Sequence, residues 1–289
     1  MKNSMFLSNL SIVDHAYIDT NGLIVGGSFN PSFIISGEMD EVEQVVIDFS
    51  TCKKDVKAII DDKEIGMDHK LWIGEFSNCE VQDDGVESFK ISTPVWDITL
   101  PYNAVHFVNA PHYDTDSIGV HMQKFVQSEL EKKYPTIKVE VINTVEAHGM
   151  PWMTNKAYFT YSHGLKNSTS WGCQNIAHGH LSYINIVAED EIGATLLGQK
   201  IAAYLDRTMF VWEENLNPDT NTISYSTERG QFKLTQRSND AKVCLFNTET
   251  TIENLTNAIC DMFADDLNLI FASEVYISEG LSKGAVYYV

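Results

Sequence analysis

Basic residues are scarce: 20 lysines and arginines stand against 40 aspartates and glutamates in 289 residues, a formal charge of −20. So negative a surface repels phosphate backbones and anionic lipid, which argues against nucleic-acid or membrane partners. An anionic small ligand would have to meet a local basic patch. Cysteine is sparse too. Cys52, Cys79, Cys173, Cys244 and Cys260 are odd in number and far apart, with no CxxC among them, which argues against a disulfide framework. No apolar run approaches the roughly 18–20 residues of a membrane span. The opening MKNSMFLSNLSIVDH turns polar and acidic too soon for a signal peptide, so a soluble, cytoplasmic chain is expected.

What is present suffices for more than one core, with 44% apolar and 11% aromatic residues, and the length suits two domains. The sequence repeats itself once. The first half runs through a strand (SIVDHAYI, with His15), a second strand (SFIISGE), a third (VEQVVIDF), a helix (TCKKDVKAIIDD), the turn MDHK, a helix (GVHMQKFVQSELEKK) and a strand (IKVEVINT). The second half offers YFTYSHGL with His163, HGHLSYINIVAE, the helix ATLLGQKIAAYL, the turn LDRT, the helix TIENLTNAICDMF and the strand SEVYISEG. It has no counterpart of VEQVVIDF. Period carries these assignments: Val45, Ile47 and Phe49 alternate as in a half-buried strand, whereas Leu255, Ile259, Met262 and Phe263 recur at helical spacing. Thr250 and Glu253 read as a capping box opening the last helix. Matched through their histidines, the halves align His15 with His163, Asp68 with Asp206 and Asn143 with Glu279. The stretch 145–156, carrying Gly149 and Pro151, keeps neither period and reads as a linker, dividing the chain into 1–148 and 149–289.

The strongest chemical signal is His178-Gly179-His180, with His163 upstream. Positions i and i+2 of a strand share a face, so both histidines can converge on one ion, and a neighbouring strand can bring His163 beside them. Three imidazoles with an open fourth position suit a catalytic zinc. Cys173 lies in the loop entering that strand. A cation nearby would favour its thiolate and fit it to take a proton from carbon. Glu279, in the last strand, can accept two hydrogen bonds at once from a guanidine-like edge.

Together YSHGL, C-QNIA-HGH, VVIDF, MDHK, TTIENL and ISEG resemble the 6-pyruvoyl-tetrahydropterin synthase and QueD family, over almost the whole chain and twice. The resemblance implies an α+β fold of two tandem T-fold modules, each an antiparallel four-stranded sheet with two helices on one face. It implies zinc on His163, His178 and His180, Cys173 as the base, Asp68 and His69 as a proton relay, and Glu279, Glu253 and Thr251 at the pterin substrate. In that family the Asp-His pair comes from a neighbouring module. The departures here fit such a division. The second half has the ligands but reads Asp206-Arg207 at its turn. The first keeps Asp68-His69 but has Ser28-Phe29-Asn30 in the place of HGH and Asn143 in the place of the glutamate.

The implied substrate is 7,8-dihydroneopterin triphosphate. Loss of triphosphate and then acetaldehyde would give 6-carboxy-5,6,7,8-tetrahydropterin, used toward queuosine, and this is the favoured route. The alternatives are the pyruvoyl product, or a zinc- and pterin-binding protein without turnover. Lys283, Arg229, Arg237 and Arg207 are candidates for the triphosphate. Alternation of two module kinds around a ring requires an even count, so a homo-oligomer of two or four chains is expected.

Overall fold

The computed structural model describes residues 2–147 and 149–289, so the expected boundary at 148 lies outside the described residues. The first half contains β1 (Lys2–Leu7), β2 (Val13–Ile18), β3 (Ile24–Glu38), α1 (Phe49–Ile60), β4 (Lys70–Ile73), β5 (Glu80–Asp83), β6 (Ser88–Ser92), β7 (Trp96–Pro101), β8 (Val105–Phe107), α2 (Thr115–Glu131) and β9 (Lys138–Thr144). The second contains β10 (Ala157–His163), β11 (His178–Ala188), α3 (Glu191–Leu205), β12 (Thr208–Trp212), β13 (Leu216–Asn217), β14 (Thr222–Thr227), β15 (Gly230–Gln236), β16 (Lys242–Phe246), α4 (Ile252–Met262), α5 (Ala264–Leu269), β17 (Ala272–Glu279) and β18 (Lys283–Tyr288).

The fold is mixed α+β, in three six-stranded sheets. One runs β1-β3-β2-β4-β8 with β9 also on β3, and another runs β16-β12-β10-β11-β17-β18. Neither matches the antiparallel four-stranded sheet that was expected. In the first sheet β4 lies parallel to β2 and β8, and in the second β12 lies parallel to β10 and β16. The cause is connectivity, because each parallel pair is joined by a long crossover: β2 reaches β4 and β10 reaches β12 by way of a hairpin strand and α1 or α3, while β4 reaches β8 and β12 reaches β16 through strands of the third sheet. The third sheet, β13-β14-β15-β7-β6-β5, is made by both halves: Leu234 of β15 pairs with Ile98 of β7.

Strict alternation sorts the core. In the first half Val13, Phe33 and Trp72 face α1 and α2, while Ala16, Ile18, Leu71 and Ile73 point the other way. There they meet Met209 and Val211 of the second half beneath the shared sheet. Phe159, Tyr161 and Phe210 face α3 and α4. Two local expectations fail, the first because short side-chain acceptors outcompete the hydrophobic period, the second because the cap falls one residue later. VEQVVIDF forms turns rather than a strand: Asp40 takes the N–H groups of Val42 and Glu43, and Asp48 caps α1, which starts at Phe49. The last long helix, α4, is capped by Thr251, which accepts from Asn254 N, so Thr250 and Glu253 do not form the capping box.

Strand registers also correct how the halves correspond. His15 lies beside Lys70 and across from Gly27, while Tyr161 lies beside Thr208 and across from His180. The turns agree. Asp68 Oδ1 accepts from Asp14 N at 2.9 Å, as Asp206 Oδ1 accepts from Thr160 N at 2.8 Å. The following residues, His69 and Arg207, both take positive φ, 53° and 57°. His15 therefore corresponds to Tyr161, Tyr17 to His163, and Val25-Gly26-Gly27 to His178-Gly179-His180. Pro31 then corresponds to Ile184, which sets Asn143 against Ile277 instead of Glu279. Alignment through the visible histidine was off by two at His163 and Glu279, a slip that keeps every side chain on its face so that alternation could not expose it, and off by three at the HGH triplet, which it had set against Ser28-Phe29-Asn30.

The two triplets meet at their glycines. A Cβ on Gly179 would stand 2.7 Å from Gly26 Cα, and one on Gly26 would stand 2.6 Å from His180 N. Gly26→Ala is expected to lower stability by about 1–3 kcal/mol through overpacking. Gly198→Ala, in the interior of α3 with 3.8 Å of clearance, should raise it by roughly 0.5–1 kcal/mol. Thermal denaturation of both variants checks the pair, and a Gly26→Ala protein as stable as the parent would refute the close crossing.

Candidate metal centre and its relay

Because β10 and β11 pair with His163 directly opposite His178, and His180 lies two residues further on the same face, three imidazoles converge. All are at most 1% exposed. Each ring is oriented from behind. His163 Nδ1 donates to Thr250 O at 2.8 Å and His178 Nδ1 to Asn175 O at 2.7 Å, tautomers assigned from those carbonyl acceptors, which leaves lone pairs on both Nε2 atoms. His180 Nδ1 lies 3.2 Å from Asp14 Oδ1, a carboxylate from the first half. His163 Nε2 and His180 Nε2 stand 3.2 Å apart, and His178 Nε2 is buried without a partner.

That geometry fits a metal ion. Two nitrogens at zinc–nitrogen distances of 2.0–2.1 Å in a tetrahedron lie about 3.3 Å apart. Burial, with His180 adding to it, pushes His163 down to about 3, and burial with His163 beside it holds His178 well below the usual range. Both rings are thus neutral, as ligands must be. Burial would raise Asp14, yet His180 and His69 hold it ionised below the ordinary carboxylate range.

Beside this cluster the first half delivers Asp68 and His69. His69 Nδ1 is 2.6 Å from Asp68 Oδ2. Its ring lies 5.1 Å from that of His178, and one of its ring nitrogens is within 4.8 Å of Cys173 Sγ. Burial works against the imidazolium, but Asp68 and then Cys173 raise His69 well above the ordinary value. Conversely burial would raise the Cys173 thiol, and His69 brings it below 9.0. Each favours the charged form of the other. Glu279 lies near the opposite side, Oε1 4.0 Å from His163 Nε2 and Oε2 3.1 Å from Lys283 Nζ. Against its burial, His180 and Lys283 bring it down to about 2. Of the other residues expected at the substrate, Thr251 serves as a helix cap and Glu253 is exposed in the first turn of α4.

Four residues that the sequence reading gave no such part hold this arrangement together. Asp14 and Thr250 orient the imidazoles. Asn175, fully buried, gives its carbonyl to His178 and donates to His69 O and Ala104 O, both at 3.1 Å. Arg229, expected at a triphosphate, is 3% exposed and donates to the carbonyls of Gly172 (2.9 Å), Trp171 (3.1 Å), Asn103 (2.8 Å) and His69 (3.4 Å). It fastens the Cys173 loop to the His69 turn. Arg237 is likewise committed to Thr93 O and Ser92 Oγ, and Arg207 to Asp19. Position within the QN of C-QNIA-HGH was the one hint of Asn175.

The first half has no such cluster in the corresponding place. Tyr113 fills it, its ring 3.5 Å from that of Tyr17 and its hydroxyl 2.8 Å from His15 Nε2. His15 stacks on Trp72 at 3.6 Å, and burial pushes it down to about 3.

No family model matches the chain, and no curated protein matches it. Among solved structures it is similar to a catalytic-residue mutant of Plasmodium vivax 6-pyruvoyltetrahydropterin synthase, at 20% identity and a TM-score of 0.38, over 50% of this chain and 91% of that one. It is similar also to the Plasmodium falciparum synthase, at 19% identity and a TM-score of 0.35, over 50% and 98%. At this identity and overlap, the functional reading rests on the site itself.

The ion pair has a measurable signature. Alkylation of Cys173 by iodoacetamide should follow a pH midpoint below the roughly 8.5 of a free thiol. The sign follows from His69: removing its positive charge in His69→Ala should move that midpoint upward. A midpoint unchanged by this substitution would rule out the pairing.

Proposed function

We propose that the chain is a zinc-dependent lyase of the tetrahydropterin-forming kind, built from two T-fold modules and acting on 7,8-dihydroneopterin triphosphate to give the 6-carboxy product. The observation that carries the reading is the meeting of Asp68 and His69 from one half with Cys173 and three buried histidines from the other. A binding protein has no use for a relay in which an imidazolium and a thiolate stabilise each other beside an ion site.

His163, His178 and His180 would hold the zinc, which when bound supplies Lewis acidity to the side-chain oxygens of the substrate. Cys173, as thiolate, takes the proton from the adjacent carbon. His69, kept protonated and oriented by Asp68, returns a proton to the developing oxyanion or to the product carbon. Glu279 accepts the guanidine-like edge of the pterin. Since Lys283 occupies one of its oxygens, a two-bond contact has to displace that ammonium. Of the four basic residues expected at the triphosphate, Lys283 pairs with Glu279 beside the cluster and Arg229 lines a cleft of about 200 Å³ reaching His69. Lys63 and Lys70 line it too, with Asp61, Asp62 and Asp68, and Lys70 Nζ already donates to Glu64 O.

Mass spectrometry of the product after incubation with dihydroneopterin triphosphate tests the reaction, with the carboxy and pyruvoyl compounds distinguished by mass. Cys173→Ala should keep metal and fold while losing on the order of 10²–10⁴-fold in turnover. Metal analysis should return one zinc per chain, lost in His178→Ala. A zinc content undiminished in that variant sinks the assignment.

Both parts of the relay lie in one chain, so the alternation of module kinds is met without a second chain. Mixing His69→Ala with Cys173→Ala protein should accordingly restore no activity. Recovery after co-refolding would mean that the halves exchange between chains.

A further inference from the structure

A second set of ligand atoms overlaps the first. One ring nitrogen each of His69 and His178 and the Sγ of Cys173 lie within 4.8 Å of one another, the same limit met by His163, His178 and His180. His69 Nε2 and His178 Nε2 are both buried with no hydrogen-bond partner, so two unpartnered nitrogens flank the thiol. A tetrahedral ion needs sulfur and nitrogen about 3.6 Å apart, within reach of small side-chain rotations.

We propose that His69, Cys173 and His178 form a second metal site for thiophilic ions, and that an ion held there blocks the relay. The two sites exclude each other, because each needs the single lone pair of His178 Nε2. One thiolate and two imidazoles favour softer ions than three imidazoles do, so cadmium and excess zinc are the natural occupants. Ligation needs a thiolate and two neutral imidazoles, so binding releases a proton to solvent. It also ties up the two groups that move protons in the proposed reaction. The inference rests on reading His178 as a metal ligand, and the test separates the two ideas.

The experiment is a cobalt(II) titration of the metal-free full-length chain, read by d–d absorption for any bound ion and by near-ultraviolet thiolate-to-metal charge transfer for a cysteine ligand. His163→Ala removes a ligand from the first set and leaves the second whole. It should bind one cobalt per chain with a charge-transfer band, and the band should vanish in the double variant His163→Ala, Cys173→Ser. Should His163→Ala not fold, as judged by circular dichroism, His163→Asn serves in its place. A His163 variant that binds no cobalt, or binds it without the band, overturns the second site while leaving the three-histidine site standing. Wild-type protein that takes up no cobalt overturns both. A wild-type band abolished by Cys173→Ser, with affinity indifferent to His163, would make the mixed set the primary one and refute the three-histidine assignment.

Discussion

Two backbones cross where neither carries a side chain, and the site depends on that crossing. Gly26 and Gly179 let the hairpins of the two halves approach to a distance that any Cβ would prevent. The crossing brings Asp14 to His180 and lets Ser28 Oγ accept from Leu181 N at 3.0 Å. A carboxylate as buried as Asp14 is costly unless paired. Here it has His180, the Ser28 hydroxyl and a main chain at Gly280 so near that a Cβ there would stand 2.6 Å from Oδ1. The ion site is thus oriented by a half of the chain that contributes none of its ligands.

A second joint secures the His69–Cys173 pair. His69 sits in the left-handed region, uncommon for a residue with a side chain though less so for histidine. Such strain persists where surroundings over-determine it. Asp14 O receives the His69 N–H at 2.6 Å, while Asn175 and Arg229 take its carbonyl. Because Arg229 also grips the carbonyls of Trp171 and Gly172, the turn bearing His69 and the loop bearing Cys173 share one fixed cation. The scarcity of basic residues sharpens the point: three arginines that a charge count would offer to an anionic ligand are spent on the protein's own carbonyls and carboxylates.

Much of this was legible in the residues. The HGH triplet with His163, the Cys173 loop and the Asp68-His69 turn all carry side chains whose chemistry is specific and whose spacing fixes a face, and they do converge. What stayed hidden belongs to partners that no local pattern marks. Asp14 reads as an ordinary acidic residue in a strand until the other half lies against it. Thr250 acts through its carbonyl, which every residue has. Arg229 looked available because sequence does not report burial. The slip of two at His163 and Glu279 has the same origin, since periodicity fixes which face a residue takes and says nothing of where along the strand it lies.

The plugged counterpart in the first half bears on how the molecule comes to be made. Its position corresponding to the ligand cluster is closed by Tyr113, Tyr17 and a neutral His15 stacked on Trp72, so nothing there waits for an ion. Chains emerge from the ribosome N-terminus first, and domains tend to fold in that order. The half without the histidine cluster is therefore synthesised before the half that carries it. Asp14 and His69 are synthesised before the three histidines, but the shared sheet, its core and the clasp on His69 need both halves, so the candidate site is complete only in a chain whose two halves have come together.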